Sequence, residues 1–351
     1  MFQKKTVIVV GAGASSEANL PVGGELTSRI AGLLDIPLAG ARQRHGDTLI
    51  HHAIRHAAQR DDPSVGDIEA WLRACWLIRD AMPQAMSIDS FIDAHRGDES
   101  LELCGKLAIA RAILQEEKKS LLFFDSTDTP ITEMLGRLRA TWFNAFMQLL
   151  SENCRVDGLA KRLESICLIV FNYDRCIEHF LVNAIQNFYG IGADQAEELV
   201  RSIEVHHPYG TVGALPWYGR EHGIAFGAEP TASQLVDLAG QIKTFAEGTD
   251  PGSGDIEKTR ARVAEAEIVL FLGFAYHRQN LELLSPDVPR TREGRMARCF
   301  GTAWHISTSD CDLIAHELAE ILGMTMSRLA LRPDLTCAKL LLEYWRSLSL
   351  S

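Results

Sequence analysis

Apolar positions along the chain follow two alternating patterns. Thr6 to Val10 is a continuous β-branched run that stops at Gly11, and apolar side chains from about Glu25 to Asp35 recur at helical intervals. The chain is therefore expected to open strand, glycine turn, helix. From Gly40 to Asp157 helical spacing dominates. Ile68, Trp71, Leu72, Cys75 and Trp76 share one face; Leu135, Leu138, Trp142, Phe146 and Leu149 share another, opened by Thr129 as cap and Pro130 in the first turn. Strand-like runs return at Cys167 to Phe171, Ile203 to His206, Ile268 to Leu272 and Thr302 to Ile306, separated by helical stretches. The alternation predicts an α/β fold: a Rossmann-like parallel sheet with helices on both faces, plus a mainly helical insertion. The expected division is 1–39 and 158–325 for the sheet domain, 40–157 for the insertion and 326–351 for a C-terminal helical segment.

Charge narrows the partners. The 35 Lys and Arg of the 351 residues stand against 46 Asp and Glu, a net charge of -11 that repels a phosphate backbone, so direct nucleic-acid contact is not expected. Eight cysteines occur without a CxxC pair, which gives no basis for a zinc ribbon or a redox motif and suits reduced thiols in a cytoplasmic protein. Met1 to Lys5 followed by TVIVV imitates a signal peptide, but the apolar run is too short, and no later one approaches the ~20 residues needed to span a bilayer.

Four segments carry candidate chemistry. In GAGASSEANLP, Gly11 and Gly13 would let backbone N–H groups approach a pyrophosphate at a helix start. Ser16 replaces the third glycine of the dinucleotide fingerprint and Asp35 is poorly placed as its ribose acid, so a tight turn without a ligand is the competing reading. FNYDRCIEHFL puts Asn172 and Asp174 at a strand's carboxyl end, where open α/β sheets bind ligands, although Asp174 also suits an N-cap. IEVHHPYG carries two adjacent histidines whose side chains should point to opposite faces; Pro208 holds His207 extended at the strand end, which favours it over His206. EIVLFLGFAYHRQN ends a strand at Gly273, with Tyr276 and Asn280 facing either ligand or solvent. Pro208 to Gly227 reads as a loop over the cleft, and Gly248 to Asp255 as a turn-dense connector.

Taken in order, GAGAS with LP, then NYD, the histidine turn and LGF resemble the sirtuin-like family, over about half the chain. SIDSF, at Ser87 to Phe91, is similar to a segment of its bacterial defence-associated branch. The resemblance implies that Gly11, Ala12, Gly13 and Ser15 form the phosphate and ribose loop. It makes Asn172 the catalytic asparagine and Asp174 the carboxamide-binding acid, and it gives Gly273 and Phe274 to the adenosine half of NAD. His207, or else His206, would fill the catalytic histidine's place, because Tyr209 stands where that histidine usually precedes glycine. Pro21, Val22, Gly23 and Gly24 replace the Pro-Asp-Phe-Arg stretch of deacylating members, and the zinc-module cysteine pairs are missing, so no metal is expected.

The resemblance therefore implies an NAD glycohydrolase releasing nicotinamide and ADP-ribose, acting as an abortive-infection effector against phage. Neutral His207 would be the general base, since an ordinary histidine pKa of ~6.5 suits that role. A homo-oligomer is expected, with a possible partner ATPase, and the segment Leu340 to Leu348 is either an interface or a packing helix. The competing readings are a non-catalytic NAD or ADP-ribose sensor, a dehydrogenase and a residual NAD-dependent deacylase.

Overall fold

The structure is a computed structural model, and it describes residues 2, 4–37, 46–61, 68–125, 127–218, 223–244, 247, 255–285 and 297–349. Six parallel strands form one sheet: β1 (Thr6–Val10), β2 (Ile166–Val170), β3 (Glu204–His206), β4 (Ile268–Leu272), β5 (Arg298–Thr302) and β6 (Leu329–Arg332). Their order is β3-β2-β1-β4-β5-β6. This is the doubly wound arrangement, in which the chain reverses its direction of travel beside β1.

Burial explains the continuous apolar runs. All five residues of β1, of β2 and of β4 are buried, because helices cover both faces. Val7, Val9, Cys167, Ile169, Val269 and Phe271 enter one core, and Ile8, Val10, Leu168, Val170, Leu270 and Leu272 enter the other. Pairing fixes this alternation: Thr6 lies opposite Ile166 on one side and Ile268 on the other.

Among the described residues no strand interrupts the stretch between β1 and β2, which is filled by helices. The apolar face running from Leu135 to Leu149 is split between two of them, Ile131–Arg137 and Trp142–Ser151. The break has a local cause. Thr141 Oγ1 donates to the Leu138 carbonyl at 2.7 Å, and the second helix starts where Trp142 N–H donates to Glu17 Oε2 at 2.6 Å. Pro130 is the N-cap of the first helix and lies just before its first turn.

Two strands correct the sequence expectation. The fifth is Arg298–Thr302, not Thr302 to Ile306; the chain turns at Trp304 and at His305, whose φ is 62°. Gly301 obscures it, since glycine is a poor strand residue. Here it is required, because a Cβ at this position would stand 2.4 Å from the Tyr276 hydroxyl. The sixth strand, Leu329–Arg332, falls in a segment expected to be helical. The segment Leu340 to Leu348 divides into helices Cys337–Glu343 and Trp345–Ser349, with Leu340, Leu341 and Leu348 buried in the core. Most of the connector at Gly248 to Asp255 lies outside the described residues; helix Asp255–Glu265 follows it. No helix among the described residues is long and apolar enough to cross a membrane.

Candidate functional site

The glycine turn, the end of β2 and the end of β4 meet at the carboxyl edge of the sheet. Gly11 N–H donates to the Leu272 carbonyl and Gly13 N–H to the Gly273 carbonyl, both at 2.9 Å. A Cβ on Gly11 would stand 2.5 Å from the Gly273 oxygen. Gly273 itself has φ +58°, and its Cβ would lie 1.9 Å from the Ala14 nitrogen. These glycines are thus explained by backbone packing between two strand ends. Phe274 is buried against Phe171, Phe271 and Tyr276. Tyr276 does not face solvent: its ring is buried and its hydroxyl donates to the Thr302 carbonyl at 2.9 Å. Asn280 accepts a hydrogen bond from the Tyr209 hydroxyl.

Ser15 and Asn172 are joined across 157 residues of sequence. Both are buried, and Asn172 Nδ2 donates to Ser15 Oγ at 2.8 Å. Ala12, Pro21, Asp89, Asn172, Tyr173 and Asp174 are among the residues around a cavity of about 130 Å³. The glycine turn, SIDSF and NYD therefore line the same cavity. Ser87 caps helix Ile88–Ala94 by accepting from Ser90 N–H, which fixes Asp89 in its first turn. The Tyr173 hydroxyl donates to Asp89 Oδ1. Burial pushes the Asp89 carboxyl above the usual carboxylate range, against the opposing effect of that hydrogen bond.

Asp174 is not the N-cap, which is Arg175, but it does act locally: its Oδ1 accepts from Cys176 N–H at 3.1 Å, ahead of helix Cys176–Tyr189. It also borders the cavity, so the two roles coexist.

The two histidines take different surroundings. His206 Nε2 lies 2.7 Å from Glu204 Oε1, and the other Glu204 oxygen pairs with Arg262 at 2.5 Å. His207 Nε2 lies 2.8 Å from Glu178 Oε1, while its Nδ1 lies 3.4 Å from the Asn172 carbonyl oxygen. Burial alone would lower the His207 pKa, but the Glu178 carboxylate and the Asn172 carbonyl oppose it, and the net shift is upward. This environment favours the protonated ring, in contrast to the neutral base expected from sequence.

Cys167, Glu204 and His206 bring potential ligand atoms within 4.8 Å of one another. Burial first, and Glu204 second, push the Cys167 thiol up to about 12, and Arg262 already pairs with the carboxylate.

Sequence reasoning missed Glu178 and Asp89 as site residues. Glu178 lies one helical turn beyond Asp174, a spacing that puts both near the helix start. Asp89 lies inside the SIDSF segment, but nothing local shows that helix Ile88–Ala94 packs beside Tyr173. No protein-family model matches this chain, and no curated protein matches it.

Proposed function

We propose that the chain is a sirtuin-like NAD glycohydrolase, cutting the bond between nicotinamide and ribose to give nicotinamide and ADP-ribose. The observation that carries the reading is the Ser15–Asn172 hydrogen bond, which ties the glycine turn to the NYD segment where the sheet ends. A carboxamide and a hydroxyl held together out of bulk water suit the hydroxyls of a ribose. Asp174, beside the same cavity, offers a carboxylate to a carboxamide N–H.

Nicotinamide leaves as a neutral base, so its departure requires no strong acid. The demands are a stabilised oxocarbenium-like carbon and a positioned acceptor, as in glycoside hydrolysis. On this reading Asn172 orients the ribose, and the His207–Glu178 pair receives the proton of the attacking water. A whole dinucleotide is much larger than this cavity of about 130 Å³, so only its ribose and nicotinamide part is assigned to it. The competing reading is a sensor that binds NAD or ADP-ribose without turnover; the engaged Gly11 and Gly13 N–H groups, not free for a pyrophosphate, bear equally on both. A cytoplasmic anti-phage effector that depletes NAD remains the physiological role proposed, from the likeness of SIDSF, with assembly into an oligomer or beside an ATPase as its control.

The test is nicotinamide release from NAD by wild type and Asn172→Ala, with ligand binding measured in parallel. Turnover to ADP-ribose that is lost in Asn172→Ala supports the hydrolase. Binding with no turnover, in assembled as well as dilute protein, refutes it in favour of the sensor.

A further inference from the structure

Strand β3 is the outermost strand at one edge of the sheet and pairs with β2. Cys167 lies opposite Glu204, and Ile169 opposite His206. Side chains alternate along a strand and paired residues share a face, so Cys167, Glu204 and His206 stand together on one side of the sheet. Their thiol, carboxylate and imidazole atoms all lie within 4.8 Å of one another. Ligands drawn from two strands leave no CxxC pair in the sequence, which is why cysteine spacing gives no sign of them.

A tetrahedral zinc ion holds sulfur at about 2.3 Å and nitrogen or oxygen at about 2.0–2.2 Å, which sets its donor atoms about 3.3–3.6 Å apart. The present separations exceed that by at most about 1.5 Å, a gap that side-chain rotation on fixed strands closes. One thiol, one imidazole and one carboxylate suit zinc better than the all-oxygen sets that hold magnesium or calcium. Glu204 is 32% exposed, so the group is open at the sheet edge, and His206 also borders a cavity of about 420 Å³.

The bland account is that Arg262 and His206 simply neutralise Glu204. Arg262 Nη2 does pair with Glu204 Oε2 at 2.5 Å, but Arg262 is 44% exposed. An ion pair open to water contributes little, and coordination by three protein ligands contributes far more. The displaced guanidinium also has an alternative, since its Nη1 already lies 3.8 Å from Glu265. Burial disfavours a bare Cys167 thiolate, and a bound cation reverses that, because coordination deprotonates a thiol outright.

We propose that Cys167, Glu204 and His206 form a zinc site at the β2–β3 edge, with water as the fourth ligand. The inference does not depend on the NAD reading. As the Cys167–zinc bond forms, the thiol proton leaves to solvent and Arg262 turns away from Glu204; nothing is oxidised or reduced. Three protein ligands with one exchangeable position are the arrangement of zinc sites that act on a ligand, whereas structural sites are closed by four.

The full chain is stripped with a chelator, then titrated with Zn²⁺ against a chromophoric competitor and with Co²⁺ under absorbance detection. Wild type is expected to bind one equivalent of zinc more tightly than about 1 µM. Its Co²⁺ form is expected to show a thiolate-to-metal charge-transfer band in the near ultraviolet. Cys167→Ser is expected to lose that band, and both Cys167→Ser and His206→Gln to weaken zinc binding by about 100-fold or more. Cys154→Ser alters a less buried thiol and is expected to change neither. Failure of the wild type to bind an equivalent of zinc, wild-type affinity in a folded Cys167→Ser or His206→Gln, or loss of binding in Cys154→Ser overturns the proposal. Glu204→Gln, at a partly exposed position, serves if the two buried-side variants do not fold: weakened zinc binding supports the site, and wild-type affinity overturns it.

Discussion

Removing the Glu117 carboxylate is expected to be among the most damaging single changes available outside the site. Glu117 and Arg175 are 0% and 2% exposed, and Arg175 Nη2 lies 2.5 Å from Glu117 Oε2. Arg175 Nε also donates to Glu117 Oε1 at 3.1 Å, and Nη1 donates to the Ile224 carbonyl at 2.6 Å. Gly227 N–H donates to Glu117 Oε2 at 2.9 Å. The pair therefore joins helix Glu99–Lys119 to the strand-end segment before Cys176 and to the chain around Ile224 to Gly227. Glu117→Leu leaves a guanidinium buried without its counter-charge, a loss of about 3–5 kcal/mol. It also orphans the Gly227 N–H, worth roughly another 1–3 kcal/mol. In Glu117→Leu with Arg175→Met no charge is stranded, so the double variant should be more stable than the single one, though the Gly227 and Ile224 groups still lack partners. Urea unfolding of the three proteins at one pH measures the differences. A single-variant loss below about 1 kcal/mol, or a double variant less stable than Glu117→Leu, refutes the reasoning.

Gly273→Ala should destabilise the fold more than a surface glycine would. The left-handed conformation costs an L-residue roughly 1–2 kcal/mol. The new Cβ would also meet the Ala14 nitrogen at 1.9 Å, a backbone atom that cannot swing aside, so a loss well above that figure is expected in thermal unfolding, and a change under about 1 kcal/mol would contradict it. His179 predicts an acid sensitivity. Burial lowers its pKa to about 4, and its ring stacks on Phe226 at 4.1 Å. The unfolded chain then binds the extra proton below its ordinary value of ~6.5, so stability falls as pH drops from about 6.5 to 4, by up to about 3 kcal/mol. His179→Gln should flatten that part of the stability curve, and an unchanged slope would show that His179 is not its source.

Much of this molecule is legible in its sequence alone. The buried strands β1, β2 and β4 declare themselves as β-branched or aliphatic runs, since a central parallel strand covered on both faces must be apolar throughout. His206 and His207 take separate carboxylate partners, Glu204 and Glu178, yet both border one cavity of about 420 Å³, so the opposite faces expected from strand alternation are not kept where β3 ends at His206. Strands whose residues answer to something distant are not legible in this way. β6 is half-buried and carries no β-branched residue, and β5 contains a glycine whose reason is the hydroxyl of Tyr276.

The site divides along the same line. Local sequence determined that Asn172 and Asp174 end a strand and that a glycine turn follows β1, because strand and turn preferences act over a few residues. Only the tertiary structure decided that Ser15 meets Asn172, that Asp89 meets Tyr173 and that Glu178 holds His207. It also decided that Gly11 and Gly13 turn their N–H groups to the end of β4. Each of these contacts joins segments that come together only when the sheet assembles in the order β3-β2-β1-β4, and their energies depend on the burial that this assembly creates.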